Sequence, residues 1–310
     1  MTARASSSAG GKMWIQKLPA GVRALTFSAD GRALYVLDAR GVISAWDTAA
    51  RTGQPVHRVA SGPRRHEVEL GTACGDRFLV LQFPAFAHIW DLAAGAEHAR
   101  LPVEPNGFRP QLDPTRRLLV APDSQRERLA TWDVAERKPG PPLLRADPTT
   151  DRFGEFAATA DGNTIAVRTA QRQVALYDRP ANRAFARFDS APAIGPIEQL
   201  AFSPDGKTLA LFGVDRIALW DVASRTVRAG RVFCCLPAHV SAVHPTLPVI
   251  AARNSNLHLT LFSLDTGEPL RALDLAVGSS TVSCTAFAPD GLTCAVGGTN
   301  KQFAVFDVDL

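Results

Sequence analysis

Short hydrophobic runs alternate along the whole chain with polar turns that contain Gly, Pro or Asp. One cycle of this pattern comprises the runs Val22–Phe27, Ala33–Leu37 and Val42–Trp46. A fourth run follows a turn that contains Gly and Pro, in the stretch Arg51–Val56. The runs are rich in β-branched and aromatic residues, which favour strands. Strands joined by short turns pair antiparallel, so each cycle predicts a four-stranded meander.

An aromatic residue followed by Asp marks the end of the third run of each cycle. The dipeptide, which Phe-Ser replaces once, recurs every 42 to 45 residues. We predict that the aromatic residues are structural, because packed sheets need a large apolar residue between them, and that the Asp residues form turns. The seven positions are Trp46–Asp47, Trp90–Asp91, Trp132–Asp133, Tyr177–Asp178, Trp220–Asp221, Phe262–Ser263 and Phe306–Asp307.

A second marker, the turn between the first and second runs, precedes each dipeptide by about fifteen residues. Asp-Gly suits such a turn because Asp bonds to the nearby backbone and Gly tolerates a positive φ. Both markers indicate seven units. The turns lie at Asp30–Gly31, Gly75–Asp76, Asp113–Pro114, Asp161–Gly162, Asp205–Gly206, His244–Pro245 and Asp290–Gly291.

The fifth unit shows a family resemblance in its residues. Phe202–Ala210, which reads Phe-Ser-Pro-Asp-Gly-Lys-Thr-Leu-Ala, together with Leu219–Asp221 resembles a WD repeat. The resemblance extends over residues 13–310 and implies an all-β fold, a seven-bladed β-propeller of four-stranded antiparallel blades. The Gly-His dipeptide of that family occurs in no unit, and only Ala238–His239 comes near it. The chain is therefore expected to be a divergent member of bacterial origin.

The last unit predicts how the ring closes. Phe306–Leu310 follows its third run directly, so a fourth strand is missing there. The resemblance implies that a strand from the other terminus takes this place, and Met13–Leu18 is the candidate. An unclosed ring would expose strand edges that favour aggregation. We therefore predict one propeller domain over residues 13–310, preceded by a disordered segment over residues 1–12.

The distribution of charge disfavours a nucleic-acid partner. The 34 basic and 30 acidic residues leave a net charge of +4, and the basic residues are scattered along the chain. Nucleic-acid binders concentrate basic charge on one face or in runs. No apolar run reaches the length of a membrane helix, and residues 1–12 lack the apolar core of a signal peptide. We expect a cytoplasmic monomer that does not bind membranes.

The sequence contains none of the local motifs that serve catalysis or cofactor binding. G-x-S-x-G and the phosphate-binding glycine loops are missing, and the seven histidines lack the H-x-x-x-H or H-x-H spacing of metal sites. The Asp-Gly turns belong to different units, which disfavours a shared calcium cage. We predict no catalytic residue, cofactor or metal. For Cys284 and Cys294, free buried thiols are favoured over a disulfide.

The turns between the second and third runs are expected to open on the face that WD-repeat proteins commonly use for ligands. Most of these turns are basic, and the turn of the second unit, Phe83–Phe86, is apolar. Such a face would suit an acidic or phosphorylated peptide. The predicted partner-binding residues are Arg40, Phe86, Arg126, Arg128, Arg172, Arg216, Asn254 and Lys301.

The resemblance favours a non-enzymatic scaffold that binds a protein or peptide partner on one face of the ring. Two alternatives stay open. A hydrolase similar to propeller lactonases would place its site in the central channel, where Glu155 and Glu198 are the only nearby acids among the first runs. The chain could instead be a sensor or scaffold domain of a larger bacterial signalling protein. Fold alone does not decide among these functions.

Overall fold

The computed structural model describes residues 14–59, 68–83, 86–102, 110–146, 152–169, 173–189, 194–213, 217–227, 242–253, 259–273 and 282–310. These residues form seven four-stranded antiparallel sheets. The strand Val22–Phe27 lies at the inner edge of its sheet. It contacts the inner-edge strands of the next sheet along the chain and of the last sheet, so the seven sheets are the blades of a closed ring. The predicted seven-bladed β-propeller is confirmed.

Blades 1 to 6 each contain four consecutive strands, and blade 7 combines the last three strands with the first. Blades 1 and 2 contain β2 (Val22–Phe27), β3 (Ala33–Asp38), β4 (Val42–Asp47), β5 (Gly53–Arg58), β6 (Glu69–Ala73), β7 (Phe78–Gln82), β8 (Phe86–Asp91) and β9 (Ala96–Pro102). Blades 3 and 4 contain β10 (Gln111–Leu112), β11 (Leu118–Pro122), β12 (Arg128–Asp133), β13 (Lys138–Arg145), β14 (Phe156–Ala158), β15 (Thr164–Arg168), β16 (Gln173–Asp178) and β17 (Arg183–Asp189). Blades 5 and 6 contain β18 (Gln199–Phe202), β19 (Thr208–Phe212), β20 (Ile217–Asp221), β21 (Thr226–Val227), β22 (Ala242–Val243), β23 (Val249–Arg253), β24 (Leu259–Ser263) and β25 (Pro269–Leu273). Blade 7 contains β26 (Val282–Phe287), β27 (Thr293–Gly298), β28 (Gln302–Asp307) and β1 (Trp14–Lys17).

The second strand of a blade carries the core. In β7, which is buried throughout, Leu79 and Leu81 pack toward blade 1, whereas Phe78 and Val80 pack toward blade 3. The outermost strands contrast with this pattern, since every residue of β17 is exposed or half-buried. Because both faces of the second strand are covered by neighbouring blades, its sequence is a continuous hydrophobic run.

The ring closes by pairing the two ends of the described chain. Strand β1 lies antiparallel to β28, with Trp14 opposite Val305 and Lys17 opposite Gln302. The bond from the Leu18 N–H to the Lys301 carbonyl, 2.7 Å long, continues this pairing. The predicted closing strand is confirmed, and Met13 lies outside the described residues.

An aromatic cluster fills the junction that this closure creates. The ring of Trp14 lies 6.0 Å from that of Trp46 in blade 1 and 5.2 Å from that of Phe303 in blade 7, measured between ring centres. Trp46 and Phe303 are also 5.2 Å apart. The Trp46 indole N–H donates to the Ser44 hydroxyl at 2.8 Å, which satisfies its only polar atom. The closing strand therefore joins the blades by side-chain packing as well as by backbone hydrogen bonds.

The other repeated aromatic residues also lie between blades. Trp90 stacks on His57 of the preceding blade, and Trp220 stacks on Phe188 of the preceding blade, both with ring centres 3.5 Å apart. Tyr177 makes an edge contact with Phe153, in the connection that leads into its own blade, at 5.6 Å. The aromatic residue of the dipeptide thus covers the outer part of the blade junction.

The Asp of the dipeptide shapes the following turn. The Asp47 carboxylate accepts the backbone N–H groups of Ala49 and Ala50 at 2.9 and 2.6 Å, and the Asp91 carboxylate makes equivalent bonds in blade 2. In the degenerate sixth unit the hydroxyl of Ser263 accepts the corresponding N–H groups, each at 3.2 Å. The residue after the aromatic one therefore needs a side-chain oxygen that can accept the backbone N–H groups of the residues two and three positions later.

The turns between first and second strands share one hydrogen-bond pattern in blades 1, 4 and 5. In blade 5, Ser203 donates its hydroxyl to the Asp205 carboxylate at 2.7 Å, and Gly206 has a φ of +69°. The hydroxyl bond is the main cause that lowers the pKa of Asp205. Gly206 also packs on Thr159 of the preceding blade, where a Cβ would come within 3.1 Å of the threonine methyl. Glycine is needed here both for its φ and for the close approach of two blades.

Blade 6 builds this turn around a histidine. His244 is 3% exposed, and its Nδ1 accepts the N–H groups of Thr246 and Leu247 at 3.2 and 2.9 Å. Its Nε2 lies 3.0 Å from the Gly291 carbonyl of blade 7, which accepts the Nε2 proton of a neutral imidazole. Burial lowers the pKa of His244. The sixth unit, which lacks both the aromatic–Asp dipeptide and the Asp-Gly turn, therefore keeps the turn and gains a hydrogen bond to the next blade.

Cys284 and Cys294 are free, as the sequence favoured. In the register of β26 and β27, Cys284 lies opposite Gly297 and Cys294 lies opposite Phe287. Burial raises the pKa of the Cys294 thiol to about 12, so this thiol stays protonated and unreactive at neutral pH.

The closing strand provides a stability test with an internal control. We expect Trp14→Ala to lower the free energy of unfolding by about 3–5 kcal/mol, because it empties the aromatic cluster between blades 7 and 1. Ile15 lies on the same strand with 37% exposure, so Ile15→Ala should cost about 1 kcal/mol or less. Chemical denaturation of both variants measures the difference, and equal losses would contradict the assigned closure.

The buried histidine predicts a loss of stability in mild acid. The unfolded chain binds a proton at His244 near the ordinary pKa of 6.5, whereas the folded protein binds it only at lower pH. Neutral His244 therefore contributes fully to the free energy of unfolding at pH values above 6.5, and this contribution is lost as the pH falls below 6.5. Burial also lowers the pKa values of His57 and His88, so both histidines reduce the free energy of unfolding in the same direction as the pH falls.

We expect the unfolding free energy of the wild type to fall between about pH 7.5 and about pH 5.5. The fall should be smaller in His244→Ser, which carries the hydroxyl of Ser28 and Ser203 at this position of the repeat. Denaturation at several pH values gives both slopes. Identical slopes for the two proteins would show that His244 is not a source of the pH dependence.

Candidate functional site

The turns between second and third strands and the connections between blades lie at the same end of the meander. We call this end of the ring the upper face, and the opposite end, with the Asp-Gly turns, the lower face. Of the predicted partner-binding residues, the structure describes Arg40, Phe86, Arg126, Arg128 and Lys301 on the upper face. Three others lie outside the described residues, namely Arg172, Arg216 and Asn254.

Arg40 and Arg128 are held by buried carboxylates in their own turns. The Arg40 Nε lies 3.2 Å from the Asp38 carboxylate, and the Arg128 Nε lies 2.8 Å from the Asp123 carboxylate. Burial raises the pKa of Asp123, but the hydrogen bonds from Arg128 and from two backbone N–H groups outweigh it and lower this pKa. These two arginines stabilise turns, and half of each side chain remains exposed.

The apolar corner of blade 2 is a stacked pair of phenylalanines. The rings of Phe83 and Phe86 are 4.5 Å apart, and the guanidinium carbon of Arg100 lies 3.9 Å from the centre of the Phe86 ring. The cation therefore covers one side of the pair. Lys301 has a φ of +69° in the turn between β27 and β28, and its carbonyl accepts the N–H of Leu18.

Arg126 lies at the junction between blades 3 and 4. Its backbone has a φ of +62°, and its Nε donates to the Phe153 carbonyl at 2.6 Å. Arg152, in the connection between the blades, donates to the Gln125 carbonyl at 2.6 Å and to the Glu127 carboxylate at 2.8 Å. Each side chain thus reaches across to the other segment, so the turn of blade 3 and the connection to blade 4 hold each other in place.

A third arginine approaches from blade 4. Gly154 donates its N–H to the Arg168 carbonyl at 2.8 Å, at the end of β15. If residue 154 carried a Cβ, that atom would lie 3.2 Å from Nη2 of Arg168 and 3.3 Å from Nη2 of Arg126. Two guanidinium groups from different blades therefore converge above one glycine. We call Arg126, Arg152 and Arg168 the arginine cluster.

The electrostatics of Arg126 reflect this crowding. Its pKa is lowered first by partial burial and then by the positive charges of Arg168 and Arg152. Guanidinium groups stay charged in proteins, so the like charges repel one another instead of losing protons. An anion placed between them would turn this repulsion into attraction, and each guanidinium can donate hydrogen bonds to it. The chemistry that the cluster can perform is the binding of an anion.

The sequence pattern identified only one member of this cluster. Arg126 occupies a turn that the repeat predicts, whereas Arg152 lies in a connection between units and Arg168 ends a strand. Neither position stands out by periodicity. The signal that could have found them is the contact between each unit's turn after its second strand and the connection to the next unit, which brings residues 126 and 152–154 together.

The channel is the second candidate. Two cavities of about 600 and 240 Å³ follow the inner strands and share Thr26, Glu69, Leu70 and Gln199. The sequence pointed to Glu155 and Glu198, whereas the polar side chains at these cavities come from other positions of the first and second strands. These side chains include Arg23, Thr26, Glu69, Gln82, Gln111, Gln199, Ser283 and Thr285.

Along the described inner strands, Glu69 is the one carboxylate at these cavities, and it lies among Arg23 and several amide and hydroxyl side chains. Glu69 pairs across the strands with Gln82, and Asp113 and Arg116 lie in the turn at one end of the larger cavity. Among the described residues, no group of three His, Cys, Asp or Glu side chains is arranged to hold a metal ion. In the same part of the chain, no helix has the length and apolar character needed to cross a membrane.

Comparison with known proteins supports the fold. The sequence is 24% identical over 180 residues to pre-mRNA-processing factor 19 homolog 2 of Arabidopsis thaliana, an alignment that covers 57% of this chain and 34% of that protein. The chain thus matches about a third of the length of that relative. No family model matches the sequence.

A solved structure gives the fuller match. A chain in a crystal structure of the mitotic checkpoint complex superposes with a TM-score of 0.70 and 13% sequence identity, over 99% of this chain and 97% of that one. At this identity the likeness shows a common fold. The protein is therefore a seven-bladed β-propeller that resembles WD-repeat proteins in its blades.

Proposed function

We propose that the protein is a non-enzymatic interaction scaffold that binds an acidic segment of a protein partner at the arginine cluster. Propellers with WD-type repeats are typically protein-interaction scaffolds, and the propeller matched by structure belongs to a multiprotein complex. The observation that carries the proposal is the convergence of guanidinium groups from two blades above Gly154.

The cluster has two properties of a binding site. Arg126 and Arg152 are held by backbone carbonyls, so little conformational entropy remains to be lost when a ligand binds. Arg152 is also accessible, with 46% of its side chain exposed. Clustered positive charge increases the rate of association with an acidic partner and favours acidic over basic ones.

The hydrolase alternative has less support from the residues that line the channel. A hydrolytic site needs a base or a nucleophile beside groups that stabilise an oxyanion. Glu69 is the carboxylate that the described inner strands contribute to the two cavities; Arg23 is the cation on these strands, and the other polar side chains along them are amides and hydroxyls. The scaffold is therefore the function that we put forward.

The proposal predicts that charge reversal in the cluster releases the partner. We expect Arg126→Glu with Arg152→Glu to weaken binding of the co-purifying partner by about tenfold or more, because repulsion replaces attraction. Binding of the wild type should also weaken as salt is added. Quantitative affinity capture followed by mass spectrometry measures both effects.

The matched control reverses two charges on the lower face. Arg32 and Lys207 lie in the Asp-Gly turns of blades 1 and 5, with 88% and 75% of their side chains exposed. Arg32→Glu with Lys207→Glu should leave the partner bound. If the cluster variant retains its partner, or if both variants lose it equally, the assignment of the cluster as the binding site is wrong.

A further inference from the structure

We propose that the arginine cluster binds a phosphate monoester dianion, carried by a phosphorylated serine or threonine of the partner, and that Gly154 determines this specificity. The inference rests on the proposed function and narrows it, because an acidic segment could be recognised through carboxylates or through phosphate. Three features of the site favour phosphate: the number of cations, their arrangement and the missing side chain between them.

The number of guanidinium groups exceeds what one carboxylate can use. A carboxylate has a single negative charge and two oxygens in one plane, which suits one guanidinium in a two-bond pair. A phosphate monoester carries nearly two charges at neutral pH and three acceptor oxygens. Arg126 and Arg168 present guanidinium groups from different blades at one point, and Arg152 lies beside them.

Two of the acidic residues nearby are engaged in ways that keep the cations in place. The Asp123 carboxylate binds Arg128, and the Glu127 carboxylate binds Arg152 at 2.8 Å. The pKa of Arg126 is lowered by burial and then by the positive charges of Arg168 and Arg152. An anion bound among these three side chains would relieve the repulsion between Arg126 and its two neighbouring cations.

The missing side chain of Gly154 leaves the space in which the two guanidinium groups meet. A Cβ there would lie 3.1 Å from the Arg168 carbonyl oxygen as well as 3.2 and 3.3 Å from the two Nη2 atoms. The carbonyl belongs to a hydrogen-bonded strand end, so the two Nη2 atoms would have to give way by a few tenths of an ångström. Alanine at this position would thus keep all three charges but shift two of the guanidinium groups from their places beside residue 154.

Three matched peptide pools test the proposal. Each pool has randomised flanks and a fixed central residue, which is phosphoserine, glutamate or serine, and binding to the full chain is measured by fluorescence polarisation. We expect the phosphoserine pool to bind the wild type about tenfold or more tighter than the glutamate pool. Arg152→Gln and Gly154→Ala should both remove this preference, whereas Arg32→Gln on the lower face should keep it. Thermal melts verify that every variant is folded.

The outcomes separate the inference from the proposed function. Equal binding of the phosphoserine and glutamate pools would overturn the phosphate specificity while an acidic partner remained possible. The absence of binding by any pool would overturn the inference as well. A phosphate preference that survives Gly154→Ala would refute the role of the glycine. Treating the captured partner with a phosphatase is the independent arm: release supports the inference, and unchanged capture contradicts it. Competition by free inorganic phosphate without any preference among the pools would indicate an adventitious anion site only.

Discussion

The constraint on which the whole structure depends is that the ring must close. Each blade packs only against its two neighbours, so a gap anywhere would leave one blade with an uncovered hydrophobic face. The hydrogen bonds between β1 and β28 remove this gap, and Trp14 packs between the first and last blades. Without the strand β1, blade 7 would keep three strands and expose the edge of β28, which is a row of unpaired backbone groups.

This constraint fixes geometry but leaves much freedom in residue identity. The space between blades is filled by Trp90 on His57 in one junction and by Trp220 on Phe188 in another. The turns are equally tolerant of substitution. The His244 ring accepts a backbone N–H near the turn of blade 6, as the Ser203 hydroxyl does in blade 5. Packing requires shape and satisfied polar atoms more than particular side chains. A TM-score of 0.70 at 13% identity to another propeller is the expected result of such freedom.

The same reasoning explains what the sequence could predict. Periodicity reports positions within a unit, and the strand bounds follow it closely: the run predicted at Val42–Trp46 is the strand Val42–Asp47. The closing strand was also predictable, because the last unit shows three runs and the resemblance to WD repeats implies that a strand from the other terminus completes it. The ion pair between Arg128 and Asp123 was not predictable, because the repeat marks the turn without showing which of its side chains will pair. The arginine cluster was the hardest to predict, because it forms between units, and nothing in a repeat marks which residues of neighbouring units will meet.

The arginine cluster is itself a consequence of the packed ring. Gathering three guanidinium groups costs free energy, and the cost must be offset by interactions elsewhere. Beneath the cluster, Phe153 is fully buried and contacts Tyr177, the repeated aromatic residue of blade 4. The carbonyl of the same Phe153 accepts a hydrogen bond from the Nε–H of Arg126. The hydrophobic packing that joins blades 3 and 4 therefore also fixes the position of the cation above it. Packing between blades thus keeps like charges together on the upper face, where an anionic ligand would find them already arranged.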